Sequence, residues 1–370
     1  MLFLAAAAAA ATAVGWAAGA CSTPSSEVDG GDLLGVFDRD AGEDAAADGG
    51  AEGGVRKDGS GGRPGGSAGG DAAAPALPMP RPAAARQAPD GSCVAPEGQP
   101  ATELRRTMGR PPCRGAQVLE WRDPEGSPRY ACVYSPPGVE TRAPLPVVLF
   151  FHAEDDNPTG VEKRTGLRKL AAGTNLTGDP AHTGFIVLAP QGRAFKGQPG
   201  ARFDTGYTGP DNVDVAVVDH FLGELAARKL VDRARVYALG MSAGGHMAAT
   251  YAMMRADRVA AFATFGTDAP PATWACPGPP PPAMVLYRAC DAMVACESVE
   301  RWLRAREAQA AETPYMRLGE DRREEPHCTL RARCPEAKGA VHHNRWPKSR
   351  EEDLLRFFAA RSLSVNAASP

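Results

Sequence analysis

Aromatic residues are scarce in this chain. They make up 6% of its 370 residues, and between Ser22 and Asp90 they almost vanish. Gly, Ala, Asp, Pro and Ser dominate there, in stretches such as Gly59-Ser60-Gly61-Gly62 and Gly65-Gly66-Ser67-Ala68-Gly69-Gly70. Such a stretch has too little apolar surface to offset the entropy of ordering its backbone. Residues 21–90 are therefore expected to form a flexible, mildly acidic tether. No internal repeat is evident. An excess of charge of either sign is also missing. A net charge of −3 with interspersed signs gives no reason to expect a nucleic-acid partner.

Beyond the first twenty residues no apolar run is long enough to span a bilayer. Those twenty are nearly all Ala with Leu, Phe, Val and Trp, and they end in Ala18-Gly19-Ala20. No Lys or Arg precedes the run, but its length and small-residue end predict a secretory signal over 1–20. Cys21 follows directly, an arrangement that resembles the lipobox of bacterial lipoproteins. The expectation is an exported protein held at the cell envelope, at the outer membrane, by a lipid on Cys21. That lipid is the one membrane tie expected, and free secretion is the alternative.

The short Cys-x-x-Cys spacing of structural zinc sites is absent from the nine cysteines. No metal and no organic cofactor are expected. In an exported chain the eight cysteines after Cys21 point to disulfides. Proximity in sequence favours Cys328 with Cys334 and Cys290 with Cys296. Cys93, Cys113, Cys132 and Cys276 stay unassigned.

The remainder, residues 91–363, is large enough for one sizeable core. Apolar runs recur at Arg129–Tyr134, Pro146–Phe151, Gly184–Ala189, Arg235–Leu239 and Ala283–Tyr287. Short runs that are apolar on both faces suit buried parallel strands. Between them, Asp211–Lys229 carries Val213, Val217, Val218, Phe221, Leu222 and Leu225 at helical spacing, and Asp353–Ala360 reads as a closing helix. Strands alternating with helices predict an α/β fold, with a mostly parallel sheet and helices on both faces.

Gly240-Met241-Ser242-Ala243-Gly244 lies between a predicted strand and a predicted helix, with Gly245 following. That is the setting of a nucleophile elbow, in which a strained turn projects the serine hydroxyl. An acid and then a histidine should follow in the chain. Asp291, just beyond the run ending at Tyr287, is the preferred acid, and Asp268 the second choice. His327, His342 and His343 alone follow Asp291, and His343 is favoured over its neighbour His342. If that segment is extended, adjacent side chains point to opposite sides and only one can serve. An oxyanion would be met by the N–H of Ala243 and by one from Ala153 or Glu154, in the loop after Phe151.

Several segments resemble the secreted polyhydroxybutyrate depolymerase and feruloyl esterase family. They are Tyr134-Ser135-Pro136-Pro137-Gly138, Pro144–Val148, Asp211–Val215, Val231–Tyr237, the elbow through Gly245, and Trp346-Pro347 shortly after a His. The resemblance covers roughly 130–358. It implies an α/β-hydrolase fold and an acyl-enzyme mechanism on carboxylic esters, either polyesters or feruloyl or acetyl esters of polysaccharides. The chain departs from the family at His152-Ala153, where His-Gly is usual, and at Tyr287-Arg288-Ala289, where His-Gly-Thr precedes the acid. The spacing from His343 to Trp346 is one residue longer. A serine peptidase on the same fold, or a non-catalytic surface protein that retains it, are the alternative readings.

Overall fold

The computed structural model describes residues 86–87, 93–95, 100–106, 108–180, 182–197, 200–319, 334–335 and 341–364. Within them an eight-stranded sheet forms the centre. Its strands are β1 (Gln117–Arg122), β2 (Pro128–Tyr134), β3 (Leu145–Phe151), β4 (Ile186–Pro190), β5 (Val231–Met241), β6 (Ala261–Phe265), β7 (Ala283–Arg288) and β8 (Tyr315–Leu318). Their spatial order is β1-β2-β4-β3-β5-β6-β7-β8. Pairing is antiparallel at β1–β2 and β2–β4, and parallel everywhere else in the sheet. A parallel sheet of this order with one antiparallel hairpin at its edge, and a serine turn after β5, is the α/β-hydrolase fold.

The parallel strands are continuous apolar runs because both faces are covered. β3 shows how one strand feeds both layers. Leu145, Val147, Leu149 and Phe151 enter one core, Val148 and Phe150 the other. The first core is closed by α2 (Val213–Ala227), α3 (Ala243–Met254) and α4 (Cys296–Ala308). The second is closed by α1 (Gly160–Arg164), with Leu167 beyond it, and by α6 (Glu351–Ala359), which brings Leu354, Leu355, Phe357 and Phe358. Phe358 stacks on Tyr237 of β5 at 4.6 Å between ring centroids. Among the described residues no helix is long and apolar enough to cross a membrane.

α2 begins at Val213 because Asn212 caps it, accepting from the N–H of Asp214 and of Val215. Asp214 is buried between Arg129 and Arg193, whose guanidiniums hold its carboxyl below the usual range against the opposing effect of burial. At the far end of the domain, Arg86–Gln87 pairs in parallel with Leu363–Ser364, and Arg86 donates to the carbonyls of Ala256 and Val259.

Three disulfides are described: Cys93–Cys276, Cys113–Cys132 and Cys296–Cys334. The last overturns both expected local pairs, since Cys296 and Cys334 bond to each other. Cys296 opens α4 with its side chain in the core, and the segment holding Cys334 packs against that core. Spatial neighbours across 38 residues therefore take precedence over sequence neighbours. Cys290 is disulfide-bonded as well, while Cys328 lies outside the described residues.

The register aligns the carboxyl ends of the central strands. Phe151 stands beside Gly240, Met241 beside Phe265, and Phe265 beside Leu286. The loops that begin at His152, Ser242, Gly266 and Ala289 therefore emerge along one edge.

Candidate active site

Ser242 sits between β5 and α3 with φ 54° and ψ −125°. A side chain held at positive φ is strained, and packing must maintain it. Glycines permit that packing. A Cβ on Gly240 would lie 1.9 Å from the carbonyl oxygen of Gly244. One on Gly244 would lie 2.1 Å from that of Phe151, and one on Gly245 would lie 1.9 Å from the Thr267 hydroxyl. The turn is also bonded in place. Ser242 N–H donates to Phe265 C=O, and the Thr267 hydroxyl donates to Ser242 C=O at 3.0 Å.

His343 Nε2 lies 2.8 Å from Ser242 Oγ, and His343 Nδ1 lies 2.9 Å from Asp291 Oδ2. Asp291 is 2% exposed and His343 5%, so water screens this pair little. Asp291 Oδ1 accepts the N–H groups of Met293 and Val294, which fixes the carboxylate from behind. An ionised carboxylate only accepts, so Nδ1 carries the proton and Nε2 is left to accept from the serine hydroxyl. Gly266 lies beneath the pair; a Cβ there would come 3.4 Å from the imidazole.

His343 stands in α5 (Val341–Asn344), a single helical turn. The condition of an extended segment is therefore not met here. Among the described residues the strand preceding the histidine in the sheet is β8, and the two histidines are separated by a helical rotation instead of a strand alternation. The segment after His343 is held from three sides. Trp346 packs edge-on against Phe150 and Phe265, and its Nε1 donates to Glu351. Arg288 Nε and Nη2 donate to the carbonyl of Arg345, and Arg164 Nη1 reaches that of Asn344.

Asp268 does not meet this histidine. It pairs with His246 Nε2 at 3.0 Å, and that hydrogen bond holds its carboxyl below the usual range. Other described histidines have separate partners: His182 is paired with Asp179, and His220 stacks on Trp121. His327 lies outside the described residues, and of His342 only the backbone is described.

The loop after β3 packs directly on the first turn of α3, as the close approach of Gly244 to the carbonyls of Phe151 and His152 shows. Ala243 N–H opens that first turn, where no carbonyl one turn earlier in the helix is there to accept it. Opposite it, His152 clamps the loop. Its Nε2 accepts Gly192 N–H at 2.9 Å, so Nδ1 carries the proton and donates to Ala153 C=O at 2.7 Å. The 153–154 peptide is trans, which turns the Glu154 N–H away from that carbonyl. Ala153 has no positive φ and its side chain joins the second core, so an alanine fits where glycine is usual in the resembling family. Burial pushes the His152 imidazole below its usual range.

Cys296, Glu300 and Cys334 could together reach a metal ion, but the two sulfurs are spent on each other in the disulfide. The sequence reading did not identify the His152 clamp, Gly266, Thr267 or Glu351. A glycine directly after the run ending at Phe265 was the one available signal among them.

No protein-family model and no curated protein matches the chain. Solved structures similar to it include a thermostable esterase, at 17% identity and a TM-score of 0.46, with 68% of this chain and 64% of that one covered. This chain thus spans less than two thirds of that protein. Thermogutta terrifontis esterase 2 phosphoramylated by tabun is 14% identical, with a TM-score of 0.46 and coverage of 67% and 93%. A ferulic acid esterase is 12% identical, with a TM-score of 0.48 and coverage of 66% and 97%.

Proposed function

We propose that this chain is a serine carboxylic-ester hydrolase working through an acyl-enzyme. The observation that carries the reading is the unbroken line Ser242 Oγ–His343–Asp291 on a strained turn. Ser242 Oγ attacks the ester carbonyl carbon while His343 Nε2 takes its proton. Asp291 steadies the resulting imidazolium. The N–H of Ala243 and one from Glu154 or Ala153 receive the oxyanion. As the intermediate collapses, His343 returns the proton to the departing alcohol. Water, deprotonated by the same imidazole, then attacks the acyl-serine, and as that intermediate collapses His343 returns the proton to Ser242 Oγ and the acid is released.

We further propose that the substrates are polyesters or feruloyl or acetyl esters of polysaccharides, met outside the cytoplasm, with Cys21 carrying a lipid. Three described disulfides support an oxidising location. Partition into detergent that is lost on Cys21→Ser would support the anchor. Both proteins remaining in the aqueous phase would remove it.

A fluorophosphonate probe tests the catalytic reading. Wild-type protein should be labelled at Ser242 and should hydrolyse a small activated ester in the presence of EDTA. Ser242→Ala should stay folded and lose both properties. An unlabelled wild type, or a Ser242→Ala protein with near-normal turnover, overturns it.

A further inference from the structure

A pocket of about 450 Å³, lined by residues that directly follow His343, is not used by the reaction steps above. Nine residues line it: Lys163 and Arg164 from the end of α1, Arg288 from the end of β7, and the run Asn344 to Ser349. Five of these are cationic, and no Asp or Glu is among them. The bias is local, because the whole chain carries a net charge of −3. Acids near the wall stand behind it and are engaged there. Asp156 pairs with Arg164, and Glu351 accepts from Trp346 Nε1 and from Gly166 N–H. Arg288 is buried and spends Nε and Nη2 on the carbonyl of Arg345. Lys163, Arg345 and Lys348 are exposed at the rim. Like charges gathered on one concave wall repel each other and concentrate a positive potential there, which an anion relieves.

The position of the pocket relates it to the reaction. Asn344 and Arg345 directly follow His343, Arg288 precedes Asp291 by three residues, and α1 follows the Ala153–Glu154 loop. His343 hands its proton to the departing alcohol, so the alcohol part of the ester lies on the side of the base. We infer that this pocket is a subsite for an anionic group, such as a carboxylate, on the alcohol part of the ester. The inference rests on the hydrolase reading above and narrows its substrate class to esters of hydroxy acids or of acidic sugars. Arg345, exposed at the rim, carries a planar guanidinium suited to a carboxylate.

Acetate esters of ω-hydroxy acids with three to six carbons, compared with their neutral amides, test this. At one chain length the acid should exceed its amide in kcat/KM by about tenfold or more, the scale of a charge-assisted hydrogen bond. The preference should shrink in 1 M salt and fall toward unity in the Arg345→Gln/Lys348→Gln protein. Equal rates for acid and amide at every length, in an enzyme still labelled at Ser242, overturn the subsite and leave the hydrolase reading standing. So does an acid preference confined to esters whose acyl part bears the carboxylate. No labelling and no turnover of either ester defeats the hydrolase reading, and the subsite with it.

Discussion

Trp346 and Glu351 are joined by a hydrogen bond of 2.6 Å from the indole Nε1 to the carboxylate Oε1. The same oxygen accepts Gly166 N–H at 2.7 Å. One buried carboxylate thus links the segment behind His343 to the loop behind α1. Burial raises its pKa above the usual carboxylate value. A group whose folded pKa is raised contributes most to stability when protonated, and that contribution is lost as pH rises through the folded pKa. Glu351→Gln should therefore flatten the pH dependence of stability just above the normal carboxylate range, with turnover close to wild type. Glu351→Ala leaves the indole N–H and an amide unpaired, and should cost about 1–3 kcal/mol. Urea titrations across that pH range measure both effects.

His343→Ala should lower kcat on a small activated ester by about 10^4-fold or more, as removal of a triad base does. His342→Ala should cost far less, because His343 makes the hydrogen bonds to Ser242 and Asp291. Comparable losses in the two variants would contradict this assignment.

Burial keeps His152 neutral by depressing its pKa. The sign is opposite to that of Glu351. A depressed histidine contributes stability above its unfolded pKa, and the contribution is lost as pH falls through the folded value. The imidazolium could no longer accept Gly192 N–H, so acid should open the Ala153–Glu154 loop. His152→Gln should have its stability change less below the usual histidine range, and should reduce kcat more than it raises KM. Parallel pH profiles for wild type and variant would argue against the clamp.

Reducing or removing Cys296–Cys334 frees a loop of 38 residues. The chain-entropy account gives about 4 kcal/mol for a loop of that size. The bridge also ties the segment holding Cys334 to the first turn of α4, which begins soon after Asp291 in the chain. Cys296→Ala/Cys334→Ala should thus unfold at lower denaturant and lose kcat at temperatures where it remains folded. Thermal melts paired with initial rates separate the two effects.

The sequence made the central sheet legible because its strands are buried on both faces and read as unbroken apolar runs. Pro146–Phe151 was expected and Leu145–Phe151 is found; Ala283–Tyr287 was expected and Ala283–Arg288 is found. β1 and β8 escaped notice. Gln117–Arg122 and Tyr315–Leu318 are edge strands, mixed in polarity and partly exposed, so they lack that signature. The places of Ser242 and Asp291 in the constellation were legible because a motif or a strand end marks them. His343 was legible by order in the chain, but its conformation was not: four residues of helix leave no periodicity to read. The disulfides were misjudged because distance along the chain says little about which segments the core brings together.

Arg86 lies against the carbonyls of Ala256 and Val259, just before β6 begins, whereas Ser242, Gly266 and Asp291 follow the opposite ends of their strands. The Arg86 contact and the serine turn therefore stand at opposite ends of the central strands, so loosening the first should leave the second seated.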